Sequence, residues 1–157
     1  MQYKITTYDE NDTIELAQNI ESEKFANMVI CLEGDLGSGK TVFTKGFAQA
    51  MEIDEEVTSP TFNIIKEYTS GDMPLYHMDV YRLDGNVDDL GIEEYYKKKG
   101  VTIIEWSDTI VDYLPEKRLN IRIKSSDEDE NKRTIIITPY GKKYEELCEA
   151  VLWHTYL

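Results

Sequence analysis

Apolar positions recur at helical spacing in the first part of the chain, fuse into short unbroken runs in two places, and alternate near the C-terminus. Ile14, Leu16, Ala17 and Ile20 share one helical face, and Asp12 followed three residues later by Glu15 predicts an N-cap at Asp12. Met28-Val-Ile-Cys-Leu32 is too short for a helix of its own and reads as a buried strand ending at Glu33-Gly34. Beyond the glycines, Val42, Phe43, Phe47, Ala50 and Met51 form the apolar face of a second helix. Gly46 weakens that helix by about 1 kcal/mol relative to alanine, which predicts close packing there, expected against a sheet.

Two β segments follow, residues 61–69 and 74–80, joined by Ser70-Gly71-Asp72 in turn chemistry. A short helix over residues 91–99 leads to Val101-Thr-Ile-Ile-Glu105, a second buried strand. Residues 119–124 and 134–138 predict a hairpin around the solvated loop SSDEDENKR, and residues 142–153 a final amphipathic helix. Early alternation of strands with helices, then hairpins, predicts an α/β fold: a central mixed β-sheet flanked by helices in three layers. With 157 residues and no repeat or linker, the expectation is one domain spanning 1–157.

The net charge of −14 argues against direct, tight nucleic-acid binding, since phosphate backbones are bound by cations. No apolar run approaches the roughly 20 residues of a membrane span, and the polar N-terminus resembles no signal peptide, so a cytoplasmic protein is expected. Cys31 and Cys148 lack metal-ligand spacing, and Cys31 reads as a small core hydrophobe.

Chemistry is concentrated in Gly34-Asp35-Leu36-Gly37-Ser38-Gly39-Lys40-Thr41, a full G-x-x-x-x-G-K-S/T motif between an apolar strand and an amphipathic helix. The glycines allow positive φ, so that backbone N–H groups can converge on phosphate oxygens at a helix N-terminus. Lys40 supplies a point charge for the β and γ phosphates, and Thr41 a hydroxyl for Mg²⁺. A metal also needs carboxylates at strand ends facing the same crevice, and Asp79 and Glu105 each end a strand of the expected kind, either to hold Mg²⁺ or to orient an attacking water. Thr58-Ser59-Pro60-Thr61-Phe62 is extended by its proline. It is either an ordinary turn or a switch sensing the γ-phosphate through Thr61. His77 is expected to be structural, Arg82 to lie at the surface or face a partner, and Trp106 to be core.

EGDLGSGKT, TSPTF, HMDVYRL and IEWSD, in that order and at these separations, resemble the TsaE (YjeE) family over nearly the whole chain. That family is the small ATPase subunit of the bacterial machinery that makes N6-threonylcarbamoyladenosine at position 37 of tRNAs reading ANN codons. The resemblance implies a P-loop NTPase fold, ATP and Mg²⁺ as cofactors, and slow hydrolysis. It also implies association with TsaD and TsaB, which transfer the threonylcarbamoyl group, hydrolysis resetting the complex between turnovers. Contact with tRNA would then be indirect. On the same ground Lys40 and Thr41 are the Walker A pair, Glu105 lies at the Mg²⁺, Asp79 is a further essential acid, and Thr61 belongs to a switch. Trp106 adjoins the site and Glu10 lies near the nucleotide. Ser38 stands where alanine is usual in the family.

Other uses of a phosphate loop stay open from the residues alone. A small-molecule kinase usually surrounds the moving phosphoryl group with several cations, and here only Arg82 is near a motif. A GTPase is disfavoured, because Asn131-Lys132-Arg133-Thr134 begins like N-K-x-D and lacks the aspartate. A nucleotide-gated binding module, in which ATP only orders the switch, is the non-enzymatic alternative.

Overall fold

A computed structural model describes residues 1–60, 64–81 and 90–152. Its centre is a row of four parallel strands, β6 (Arg118–Ser125), β2 (Met28–Gly34), β5 (Val101–Glu105) and β4 (Leu75–Asp79). The row is extended antiparallel on one side by β3 (Ile65–Tyr68) and on the other by β7 (Arg133–Tyr140) and β1 (Tyr3–Thr7). The resulting seven-stranded mixed sheet has the order β1-β7-β6-β2-β5-β4-β3. The inner parallel strands β2 and β5 are buried on both faces, which is why they carry mostly apolar runs, whereas β6 alternates.

Helices α1 (Glu10–Glu21), α2 (Lys40–Ala50) and α4 (Lys142–Leu152) cover one face. There Leu16, Ile20, Phe43, Phe47 and Leu147 pack with Ile30, Leu32 and Ile103 of the sheet. The opposite face holds a smaller cluster, in which Val29, Cys31, Met78 and Ile104 meet Ile92 and Ile110. Ile92 belongs to the short helix α3 (Ile92–Tyr95), and Ile110 to a 3-10 segment, Ser107–Tyr113. The three-layer α/β arrangement expected from the sequence is present. Both cysteines are buried free thiols, and burial pushes each up to about 12.

Two local expectations are corrected. The cap of α1 is Asp9, whose extended backbone and side-chain bond to the Asp12 N–H satisfy the helix start, while the Asp12 carboxylate reaches back to the Tyr8 N–H at 2.9 Å. Asp9 and Asp12 have the same three-residue spacing as Asp12 and Glu15, so the acid pattern alone placed the cap one pair too late. Gly46 packs against α1, not against the sheet: a Cβ at this position would lie 3.0 Å from Ile14 Cα and 3.2 Å from Ala17 Cβ.

Strand β1 and the 3-10 segment were not expected from the sequence. β1 buries only Tyr3 and Thr7 fully, and its partner β7 lies at the other end of the chain, pairing Tyr3 with Ile137. The expected switch residue Thr61, together with Phe62, Arg82 and Trp153, lies outside the described residues.

Candidate functional site

The glycine-rich loop links the end of β2 to the start of α2, at the carboxyl edge of the parallel strands. Gly34, Gly37 and Gly39 have φ of 152°, 79° and 114°, conformations that side chains with a Cβ seldom adopt. Gly34 is also required by space, because a Cβ there would meet the Ile123 carbonyl oxygen at 2.4 Å. Asp35 and Leu36 are exposed at the crest of the loop, while Ser38 is buried beneath it. The Ser38 hydroxyl has no hydrogen-bond partner, so nothing in the fold requires it in place of a methyl group.

Lys40 begins α2 and is 4% exposed. Its ammonium donates to the carbonyls of Gly34 at 2.6 Å and Asp35 at 2.9 Å and lies 3.9 Å from the centre of the Trp106 ring. Burial pulls its pKa below the usual lysine range, opposed by the charges of Glu105, Asp79, Asp108 and Asp35. Trp106 holds a left-handed backbone at φ 65° and packs at 4.5 Å against Tyr81, forming a wall of the cleft while resting, partly buried, against the smaller core cluster as expected.

Sheet register brings the two strand-end acids together. Asp79 of β4 lies directly beside Glu105 of β5, so their side chains share the face that carries α2. Glu105 is 2% exposed and accepts from the Thr41 hydroxyl at 3.0 Å, and the Thr41 oxygen also lies 2.9 Å from the Ser59 hydroxyl. The other Glu105 oxygen meets His77 Nε2 at 2.5 Å and the Thr44 hydroxyl at 3.4 Å. Asp79 accepts from the Tyr81 N–H, and burial raises its pKa above the usual carboxylate range.

One cleft is thus lined by Leu36, Gly37, Gly39, Lys40, Thr41, Ser59, Asp79, Glu105 and Trp106. Across the loop a second cleft is lined by Glu10, Asp9 and Thr13 on one side and by Asn131 and Arg133 on the other. Both clefts share Gly37, Gly39 and Val42. Of the residues singled out in the sequence, Lys40, Thr41, Asp79, Glu105 and Trp106 converge, and Glu10 sits across the loop.

Sequence reasoning missed two participants. His77 is buried and hydrogen-bonded as a structural histidine should be, but its partner, Glu105 of the site, was not foreseen. Arg133, in a segment notable only for lacking a guanine motif, donates from Nε to the Ser38 carbonyl at 2.8 Å and from a terminal nitrogen to that of Gly37 at 3.3 Å. His77 precedes Asp79 by two residues and so had to share its face, a signal that was legible. Arg133 gave none, because its loop contact spans 95 residues of chain.

Residues 7–135 match the family model described as Threonylcarbamoyl adenosine biosynthesis protein TsaE. The chain belongs to the TsaE family. It is 46% identical over 153 residues to the tRNA threonylcarbamoyladenosine biosynthesis protein TsaE of Bacillus subtilis, covering 98% of this chain and 96% of that one. It is 38% identical to the protein of the same name from Nostoc over 149 residues, 92% of this chain and 90% of the relative. The crystal structure of Bacillus subtilis YdiB superposes with a TM-score of 0.83 at 41% identity, covering 99% of this chain and 97% of that one. With the mixed sheet and the loop between β2 and α2, this likeness makes the architecture that of a P-loop NTPase. Among the described residues no helix is long and apolar enough to cross a membrane.

Proposed function

We propose that this protein is the ATP-binding and ATP-hydrolysing subunit of a tRNA threonylcarbamoyladenosine system, acting with TsaD and TsaB and resetting their complex between turnovers. The observation that carries the reading is the meeting of the glycine-rich loop, Lys40 and Thr41 with the paired strand ends Asp79 and Glu105. Backbone N–H groups of Gly37, Gly39, Lys40 and Thr41 and the Lys40 ammonium would bind the phosphates. Thr41, Glu105 and Asp79 offer only oxygen donors, which suits Mg²⁺.

When bound, Mg²⁺ supplies charge neutralisation at the β and γ phosphates. Thr41 and Glu105 would hold it, with Asp79 beside them. The chain's own part is then to orient a water with Asp79 or Glu105 and to keep Lys40 on the phosphates under Trp106. Ser59 touches Thr41, so residues 58–60 can respond to what Thr41 binds. That link supports a change read by partner proteins, with tRNA handled by them and not by this acidic surface.

The test combines purified TsaD, TsaB, tRNA and threonylcarbamoyl-adenylate, and measures modified tRNA per complex with and without this protein and ATP. The expected result is single-turnover modification without it and multiple turnover with it. Equal yields would refute the resetting role, and ATP-dependent phosphorylation of a small metabolite would replace it with a kinase.

A further inference from the structure

At the opposite end of the sheet from the glycine-rich loop, the start of β2 and the first turn of α4 border a groove of about 350 Å³. Its floor is apolar and aromatic, with Phe25 meeting the Tyr144 ring edge-on at 5.0 Å and Val29, Tyr96 and Pro115 beside them. Its rim carries Lys117, Lys142 and Lys143, all exposed, and no acid is among the residues that line it. In a chain with 31 acidic and 17 basic residues, the three charged side chains that line the groove are all cations, with Glu116 and Glu145 beside them outside the lining.

The polar groups of the floor are engaged inside the protein. Tyr144 Oη accepts from the Val29 N–H at 2.8 Å, Tyr96 Oη donates to the Tyr113 carbonyl at 3.1 Å, and the Asn27 amide donates to the Lys98 carbonyl at 2.8 Å. A pocket for a small metabolite usually offers a few fixed polar groups that orient its ligand. This groove offers an apolar seat with mobile charges around it, the pattern of an anchor site whose rim selects by charge. The chain's own acidic hairpin tip, Ser126-Asp-Glu-Asp-Glu-Asn131, has complementary charge and no apolar side chain to fill the seat.

We propose that this groove docks an acidic segment of a partner protein through one aromatic side chain, at a surface separate from the nucleotide clefts. The aromatic ring enters between Phe25, Tyr96 and Tyr144, and flanking carboxylates meet Lys117, Lys142 and Lys143. The first backbone N–H groups of α4 have no partner within the helix and add to the positive rim.

The probe is a fluorescein-labelled peptide, Asp-Glu-Phe-Asp-Glu, titrated with the full-length protein and followed by anisotropy. Replacing its Phe by Ser, or using the protein triple variant K117E/K142E/K143E, is expected to weaken binding by about tenfold or more. Saturating ATP is expected to leave binding unchanged, and the variant should keep the wild-type melting temperature and nucleotide affinity, since all three lysines are exposed. No binding at about 1 mM peptide, a peptide affinity far below any useful interface, would overturn the proposal. So would equal binding of the Ser peptide or by the triple variant, or competition by ATP. Self-association of the wild type that the triple variant abolishes would assign the groove to a second copy and overturn it as well.

Discussion

His77 and Glu105 lie on neighbouring parallel strands with Nε2 2.5 Å from Oε2, and at 0% and 2% exposure both are buried, Glu105 at the floor of the cleft. The pair fixes one oxygen of Glu105 and leaves the other for Thr41. Removing His77 leaves buried Glu105 with only the Thr41 and Thr44 hydroxyls, so His77→Leu is expected to cost about 3 kcal/mol. His77→Leu combined with Glu105→Gln should cost less than the two single changes added together, because no buried charge is then left alone. Urea unfolding of all four proteins measures the coupling, and strict additivity would show that the two side chains act independently.

In the proposed reading Lys40 would meet the phosphates and Glu105 the Mg²⁺, so the loss of either should affect chemistry, and the loss of Glu105 should also cost stability because it leaves buried His77 without its partner. Lys40→Ala and Glu105→Ala are each expected to lower ATP turnover by about 100-fold or more. Both should abolish multiple-turnover tRNA modification while the circular dichroism spectrum keeps its native shape. Normal turnover of modified tRNA by Glu105→Ala would remove that residue from the mechanism.

Asp79 is held above the usual carboxylate range chiefly by burial, with Glu105 adding to the rise and the Tyr81 N–H, His77 and Lys40 opposing it. A carboxyl group with a raised native pKa binds its proton more tightly in the folded state. Its contribution to stability is therefore greatest at low pH and is lost as pH rises from the ordinary carboxylate value through the native one. Asp79→Asn keeps an oxygen for the Tyr81 N–H and carries no charge. The variant should melt higher than the wild type at pH 7, and the difference should shrink towards pH 4. A difference that grew on acidification would mean that Asp79 is stabilised as the anion.

The loop, its flanking strand and helix, and both strand-end acids were legible because each is written in contiguous residues, as in Val101-Thr-Ile-Ile-Glu105. Their convergence was not written there. It follows from the parallel register that sets Asp79 beside Glu105, a pairing between strands whose order the sequence does not state. β1 escaped for the same reason, since five residues with two buried side chains become a strand only by pairing with β7. Asp9 was passed over because Asp12 satisfied the same local rule, and only the backbone at Asp9, extended at φ −159°, separates the two.

Gly46 presents a choice between helix propensity and packing. Alanine would favour the helix by about 1 kcal/mol if the site were open. Its methyl would instead lie 3.0 Å from Ile14 Cα and 3.1 Å from the Ile14 carbonyl oxygen, backbone atoms that cannot rotate away. Forcing α1 and α2 apart should outweigh the propensity, and Gly46→Ala is expected to destabilise the protein by about 1–3 kcal/mol. Thermal unfolding decides it, and a rise in melting temperature would show that the two helices can separate at little cost.

Arg133 ties the β6–β7 hairpin to the glycine-rich loop. Its guanidinium donates to the carbonyls of Glu130 and Lys132 in its own hairpin and to those of Ser38 and Gly37 in the loop. These contacts fix the loop backbone between the two clefts, where the Ser38 N–H is itself held by the Asp35 carbonyl at 3.0 Å. A lysine keeps the charge but has no planar fork with which to serve both segments, so it should replace Arg133 poorly. If the staple contributes about 1 kcal/mol to loop geometry, Arg133→Lys should weaken ATP binding roughly fivefold. Arg133→Ala should weaken it further, with little change in melting temperature in either case. Titration with a fluorescent ATP analogue checks this, and full affinity in Arg133→Ala would show that the loop keeps its shape unaided.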